Sequence, residues 1–283
     1  MKHIVRSIFS IFLCVLSVPT LGQPNEEGSL FIIGGGKRPG YLMKRLISTA
    51  NLEADDYMVI LPMASGKPIE TMRNMKQELR EYCDCHNEIA GFNFGKDNTG
   101  RTTWADSVAN AKLIYIIGGS QRRFMDVVYD TPVYEAIHQA FKQGATISGT
   151  SAGAAVMSEV MITGHHIEDM KTNDFKSIKY DHVRTIDGLG LLPPRTIIDQ
   201  HFIKRGRFNR LISVLADYPT YECLGIDEST AVLYHDGKAE VVGEGQVMVL
   251  SNPEGLSVAS EELVTVKDIK LSLLTAGDIL ELK

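Results

Sequence analysis

The chain has 283 residues, 44% of them hydrophobic, and 29 Lys and Arg against 35 Asp and Glu give a formal net charge of −6 at pH 7. That length builds one large domain with a sizeable core. The acidic balance argues against a nucleic-acid or anionic-membrane partner.

The N-terminus reads as a targeting segment. Lys2, His3 and Arg6 form a positive region, and Ile8 to Val18 is an apolar stretch too short to span a bilayer. Thr20-Leu21-Gly22 places small residues at −3 and −1 of a cleavage site, so residues 1–22 are expected to be removed and Gln23 to begin an exported chain, periplasmic or extracellular. Lipidation at Cys14 is disfavoured by the bulky Ile11-Phe12-Leu13 before it; retention as a short anchor is the other alternative. About 260 residues then remain, with a net charge of −8. No later stretch has the apolar length of a membrane helix, so stable membrane insertion is not expected.

From residue 23 onward strands and helices alternate. Leu30-Phe31-Ile32-Ile33 is a buried-strand run ending in Gly34-Gly35-Gly36, and Lys44 to Asn51 carries helical spacing. The triple glycine lacks the spacing of a phosphate loop and reads as a tight strand-to-helix turn. Tyr57 to Leu61 is a second strand, Ile69 to Tyr82 a helix with a polar face, and Ala111 to Ile117 a third strand ending in Gly118-Gly119-Ser120-Gln121. Val133 to Lys142 is helical and Gly144 stops it. This order predicts an α/β fold, a mostly parallel sheet with helices on both faces and ligand sites at the carboxyl ends of its strands. Ala231 to Tyr234, Ala239 to Val242 and Val247 to Leu250, with the hairpin signal Asp236-Gly237, predict a C-terminal antiparallel β extension closing one sheet edge. No linker or repeat interrupts residues 23–283, which read as a single domain.

Three cysteines follow the targeting segment, Cys83, Cys85 and Cys223. An odd number does not read as a disulfide framework. Cys83-Asp84-Cys85-His86 lacks the second ligand pair of a metal site, so neither a metal nor any other cofactor is expected.

Ala145 to Ser148 leads into Gly149-Thr150-Ser151-Ala152-Gly153-Ala154, a G-x-S-x-G sequence in the strand–turn–helix setting of a nucleophile elbow. A glycine-rich turn that only packs is the plainer alternative. The functional reading predicts strained backbone at Ser151, its hydroxyl lifted clear of the sheet, and an oxyanion hole from the N–H groups of Ala152 and Gly119. A serine nucleophile needs a base and a group to orient it. His201 is the best-placed base, at the polar end of the apolar run Thr196 to Gln200; His165 and His166 are rivals. Glu168 is the expected acid, with Asp169 close behind and Glu159 also in range, on the chain order serine, acid, histidine. Arg205, Arg207 and Arg210 follow His201 and point to an anionic substrate unless they form a solvated helix face. Asp199 beside them offers a site for a basic group.

Ile33-Gly34-Gly35-Gly36, Gly118-Gly119-Ser120-Gln121, the Gly149–Ala154 motif and Asp199-Gln200-His201-Phe202 with its three arginines resemble the cyanophycinases, of the serine peptidase family that also holds aspartyl dipeptidase. The resemblance spans nearly all of residues 29–283, including Gly225-Ile226-Asp227-Glu228 and Gly277-Asp278; residues 164–180 depart from it. It implies a homodimeric enzyme with a class I glutamine amidotransferase-like fold, cleaving β-aspartyl-arginine units from cyanophycin. On that carry-over Ser151 is the nucleophile, His201 the base and Glu168 the acid, while Gln121, Asp199, Gln200, Arg205, Arg207 and Arg210 line the substrate pocket. An aspartyl or isoaspartyl dipeptidase and a non-catalytic binding protein on the same fold are the alternatives.

Overall fold

The computed structural model describes residues 27–166, 175–259 and 262–282. In chain order its elements are β1 (Ser29–Ile33), α1 (Gly40–Ala50), β2 (Tyr57–Leu61), α2 (Pro68–Tyr82), β3 (Glu88–Gly91), α3 (Thr102–Ala109), β4 (Leu113–Ile116), α4 (Gln121–Val128), α5 (Pro132–Lys142), β5 (Thr146–Thr150), α6 (Ala152–Ala155), β6 (Val160–His166), β7 (Val183–Asp187), β8 (Thr196–Gln200), α7 (Phe208–Asp217), β9 (Glu222–Ile226), β10 (Thr230–His235), β11 (Lys238–Gly243), β12 (Val247–Glu254), β13 (Ser257–Val258), β14 (Val264–Thr265), β15 (Asp268–Leu274) and β16 (Ile279–Glu281).

Side-chain alternation along the strands sets the layers. Leu30 and Ile32 of β1 enter one apolar cluster and Phe31 and Ile33 another, and all four are fully buried. The first cluster takes Val108 of α3, Phe124 of α4 and Ile137 of α5; the second takes Leu42, Met43 and Leu46 of α1 and Met75 and Leu79 of α2. Helices therefore cover both faces of the large sheet. Its strand order is β16-β11-β10-β1-β5-β4-β2-β3. The run from β1 to β3 is parallel, while β10, β11 and β16 add antiparallel on the other side of β1. A second sheet, β15-β12-β9-β8, pairs β8 with β9 in parallel and the rest antiparallel. A third cluster fills the space between it and α7.

Several features depart from the sequence reading. The stretch Val247–Leu250 belongs to the second sheet, through β12. Val247 and Val249 enter the first cluster and Met248 and Leu250 the third, so both faces are buried. A strand at the edge of the first sheet would not offer that. Helix α1 starts four residues before Lys44, with Pro39 as its N-cap. Short β3, α3 and α4 fill stretches where no element was expected. Cys83 and Cys85 form a disulfide, against the expectation drawn from the odd cysteine count. Their Cα atoms are 5.1 Å apart at the end of α2, within disulfide reach, and a bridge across one residue needs no wider framework. Cys223 is buried in the third cluster, and burial pushes its thiol pKa up.

Candidate active site

The parallel strand β5 runs out at Thr150, and the chain turns at once into α6. Ser151 carries that turn with φ 55° and ψ −110°, a region non-glycine residues rarely occupy. The two motif glycines make the turn possible by close approach. A Cβ on Gly149 would stand 2.2 Å from the Gly153 carbonyl oxygen, and one on Gly153 would stand 2.3 Å from that of Ile116. The Ser151 N–H donates to the Ile33 carbonyl at the end of β1, 2.9 Å away.

His201 follows directly on β8, also at positive φ (49°). Its N–H donates to the Gly34 carbonyl at 2.8 Å, and its ring packs against Gly35, where a Cβ would come within 2.3 Å of Cε1. The imidazole Nε2 stands 2.8 Å from Ser151 Oγ, and Nδ1 stands 2.6 Å from Glu228 Oε1. A carboxylate at Nδ1 keeps the proton on that nitrogen and leaves Nε2 bare to accept from the serine hydroxyl. Burial lowers the His201 pKa; the Glu228 hydrogen bond works in the opposite direction, and Arg205 and Arg207 add to the lowering. The ring is thus neutral at neutral pH, the state a general base needs.

The carboxylate against His201 is Glu228, whereas the sequence reading expects Glu168; Glu168 and Asp169 lie outside the described residues. Parallel pairing puts β9 beside β8, so the loop after β9 delivers Glu228 to the imidazole delivered by the loop after β8. A signal for it exists in the sequence. Cys223 to Ile226 is an apolar run ending in Asp227-Glu228, the same strand-end pattern that marks His201. The assumed order serine, acid, histidine hides it.

The remaining expected residues separate into two groups. Ala152 begins α6, where the first N–H groups of a helix have no partner within the helix. Gly118 lies beside the serine, its ideal Cβ 3.2 Å from that of Ser151, and Gly119 follows at the turn into α4. Gln200 Oε1 is 3.3 Å from Ser151 Oγ. Gln121 is buried, and its amide donates to the Ile162 carbonyl at 2.9 Å, tying α4 to β6. Asp199 and Arg210 do not open to a ligand. They are 1% and 2% exposed and form a two-pronged ion pair, Arg210 Nε to Asp199 Oδ2 at 2.9 Å and Arg210 Nη2 to Asp199 Oδ1. Asp199 also accepts from the Gln200 N–H at 2.7 Å. Arg207 donates to the Gln200 carbonyl, with its pKa lowered to about 10 chiefly by burial and then by Arg210. Arg205 is exposed and close enough to His201 to depress its pKa. No helix starts at Phe202: residues 203–207 form turns, and α7 begins at Phe208.

The model of peptidase family S51 matches residues 30–242. The cyanophycinase of Trichormus variabilis is 34% identical over 236 residues, covering 78% of this chain and 74% of that protein. The cyanophycinase of Geminocystis herdmanii is 31% identical over 269 residues, covering 89% and 93%. The crystal structure of a peptidase from an acI-B1 Actinobacterium superposes with a TM-score of 0.65 at 21% identity over 92% of this chain and 98% of that one, a likeness of fold. Matched over most of its length, the chain belongs to peptidase family S51 and is a serine-type peptidase.

Proposed function

We propose that the chain is an exported cyanophycinase, hydrolysing the polymer to β-aspartyl-arginine dipeptides through Ser151, His201 and Glu228. The observation that carries the mechanism is the unbroken line from Ser151 Oγ through the imidazole to Glu228, 2.8 Å and 2.6 Å long. His201 Nε2 takes the serine proton as Oγ attacks the scissile carbonyl, and Glu228 stabilises the imidazolium that forms. The N–H groups of Ala152 and Gly119 hold the oxyanion. Collapse breaks the C–N bond, and His201 returns its proton to the leaving amine. Water, deprotonated by the same nitrogen, then releases the acyl group and restores the serine.

Relatives named cyanophycinase, at 31% and 34% identity, support the substrate. Arg205, exposed and near enough to the imidazole to depress its pKa, is the cationic partner for a substrate carboxylate. The signal-like N-terminus and the Cys83–Cys85 disulfide, a bond that persists in oxidising compartments, support export. The matching fold reading is that of class I glutamine amidotransferases closed at one edge by an antiparallel extension. One observation favours a dipeptidase instead. Asp199 and Arg210 satisfy each other, which leaves fewer groups to grip a polymer. Incubation with insoluble cyanophycin and, separately, with aspartyl and isoaspartyl dipeptides, read by mass spectrometry, decides between them. Release of β-aspartyl-arginine by the wild type and none by Ser151→Ala supports the polymer reading. Cleavage of the dipeptides alone rejects it.

A further inference from the structure

The turn that carries Gly119 is held by a side chain outside the candidate site. Just after β4, the Ile117 N–H donates to the Leu61 carbonyl at 3.0 Å, and the Ser120 N–H donates to the Ala64 carbonyl at 2.8 Å. Both acceptors lie at the end of β2 or in the turn after it. Gly118 and Gly119 span the gap between these two bonds. Gly119 is exposed, and its N–H has no partner among the described residues. It sits directly on the turn after β2, where its Cβ would stand 2.2 Å from the Ala64 carbonyl oxygen. That turn is a fixed support: Met63, Ala64 and Ser65 are buried, and the Ser65 N–H donates to the Pro62 carbonyl at 2.8 Å. Arg123, in the first turn of α4, completes the contact. Its N–H donates to Ser120 Oγ at 3.3 Å, and its Nη1 reaches back to the Ala64 carbonyl at 3.0 Å. With the Ser120 N–H on the same carbonyl, the three bonds form a closed ring from Ala64 to Ser120 to Arg123 and back. Arg123 is exposed and forms no ion pair among the described residues, whereas its neighbour Arg122 stands 3.9 Å from Asp126. The guanidinium is thus committed to a backbone carbonyl, in a charge-assisted bond.

We propose that Arg123 is a positioning residue for the oxyanion hole. By clamping the Ala64 carbonyl to the start of α4, it fixes the turn that presents the Gly119 N–H to the tetrahedral intermediate. It acts through Gly119 and not on the substrate. The inference rests on the serine mechanism proposed above and is independent of which peptide is cleaved. Oxyanion donors work because they are aimed before charge develops, and loss of a whole donor costs about 10²–10³ in kcat. Removing the Arg123 bond leaves the Ser120 N–H on Ala64, so the turn loosens and the donor is misaimed without being lost. A fall of about tenfold is expected, below the cost of a missing donor. The bond has a single prong, so an ammonium at this position can replace it.

The test is the rate of inactivation by diisopropyl fluorophosphate, which needs the serine and the oxyanion hole but no particular peptide. Ser151 Oγ attacks phosphorus, His201 takes the hydroxyl proton, the P–F bond breaks and fluoride leaves, with the phosphoryl oxygen seated in the hole. Wild type, Arg123→Met, Arg123→Lys and Arg122→Met are compared, with peptide mass mapping of the adduct and thermal melting. Arg122→Met removes the same charge one residue away and leaves the bond to Ala64 in place. The wild type should be labelled at Ser151. Arg123→Met should react about tenfold more slowly at an unchanged Tm, Arg123→Lys should keep about half the wild-type rate or more, and Arg122→Met should match the wild type. On a peptide that the wild type cleaves, Arg123→Met should lower kcat and leave KM unchanged. A wild type that takes no label at Ser151 overturns the serine mechanism and the role of Arg123 with it. Labelling of the wild type with Arg123→Met equally fast overturns the role of Arg123 alone. So does an equal loss in Arg122→Met, which would trace the effect to charge. A rate loss that follows a fall in Tm, or a raised KM at unchanged kcat, overturns it as well.

Discussion

Replacing Glu228 by Gln tests the candidate site most sharply. The carboxylate sits 2.6 Å from His201 Nδ1, on the side of the ring away from Ser151. An amide there can turn its NH2 toward Nδ1, which then becomes an acceptor and moves the ring proton to Nε2. Ser151 then faces a donor and has no base. In the other orientation the amide oxygen keeps the tautomer but carries no charge to stabilise the imidazolium. The analogous change in a serine-protease triad lowers kcat about 10⁴-fold. A fall of about 10³–10⁴ in kcat is expected here, equal to about 4–5.5 kcal/mol of transition-state stabilisation. KM should barely change, because Glu228 acts through the imidazole. The pH profile supplies an independent check. Burial already lowers the His201 pKa and Glu228 opposes that lowering. Removing its charge lowers the pKa further, so the acid limb of kcat/KM, which reports protonation of the base, should move to lower pH. Steady-state kinetics on a soluble β-aspartyl-arginine substrate from pH 4 to 9, with Glu168→Gln in parallel, give both readouts. Should Glu228→Gln keep more than about a tenth of wild-type kcat, or Glu168→Gln fall further, the orienting acid is not Glu228.

Gly35→Ala should lower kcat more than about a hundredfold, because its Cβ would stand 2.3 Å from the His201 ring and must displace the base; thermal melting separates this from unfolding. Arg210→Ala breaks a buried ion pair and should cost about 3–5 kcal/mol of stability, lowering Tm by about 6 °C or more. Arg205→Ala should instead leave Tm near the wild-type value, lower kcat/KM and move the acid limb to higher pH, since Arg205 depresses the His201 pKa. If Arg205→Ala changes neither kinetics nor pH profile, Arg205 is only a solvated side chain. Burial pushes the Asp217 pKa up to about 6, against the hydrogen bond from the Asp181 N–H, which works to lower it. A carboxyl whose folded pKa is raised binds its proton more tightly when folded, so the protein loses stability as pH rises from about 4 to about 6. Asp217→Asn should raise Tm by about 2–4 °C at pH 7.5, a gain of about 1 kcal/mol after solvent screening, with the gain gone by pH 4; a constant offset across that range would refute the assignment.

The sequence shows what local geometry demands and hides what pairing decides. Gly149 and Gly153 flank Ser151 because their neighbours leave no room for a Cβ, and such a demand is written into the residue types. His201 is legible because β8 ends in Asp199-Gln200, an apolar run turning polar. Glu228 has the same mark, yet its place against His201 depends on β9 lying beside β8, which no local pattern states. The arginines are a similar case. Their spacing raises the question of which contact substrate, but only the fold shows that Asp199 points into the third cluster's side of the sheet and closes on Arg210. The disulfide depends on where α2 ends, which brings two cysteines with one residue between them around a tight bend.

The role of Gly34-Gly35-Gly36 follows from the same tertiary logic. A tight turn after a strand explains one glycine; it does not explain three in a row. Three consecutive carbonyls at this corner, of Ile33, Gly34 and Gly35, accept from the N–H groups of Ser151, His201 and Ser229 at 2.9, 2.8 and 2.9 Å. Ser229 is the residue after Glu228. All three donors have positive φ (55°, 49° and 55°) without being glycine, and backbone strain of that kind persists only where the surroundings hold it. The loops bearing Ser151, His201 and Glu228 come from three strands in two sheets, β5, β8 and β9, yet each is fixed to the same short run after β1. Side chains at Gly35 and Gly36 would collide with His201 and Glu228, so bare backbone is what lets this run approach all three. The end of β1 thus contributes no side chain to the candidate site and still sets the distances among Ser151, His201 and Glu228.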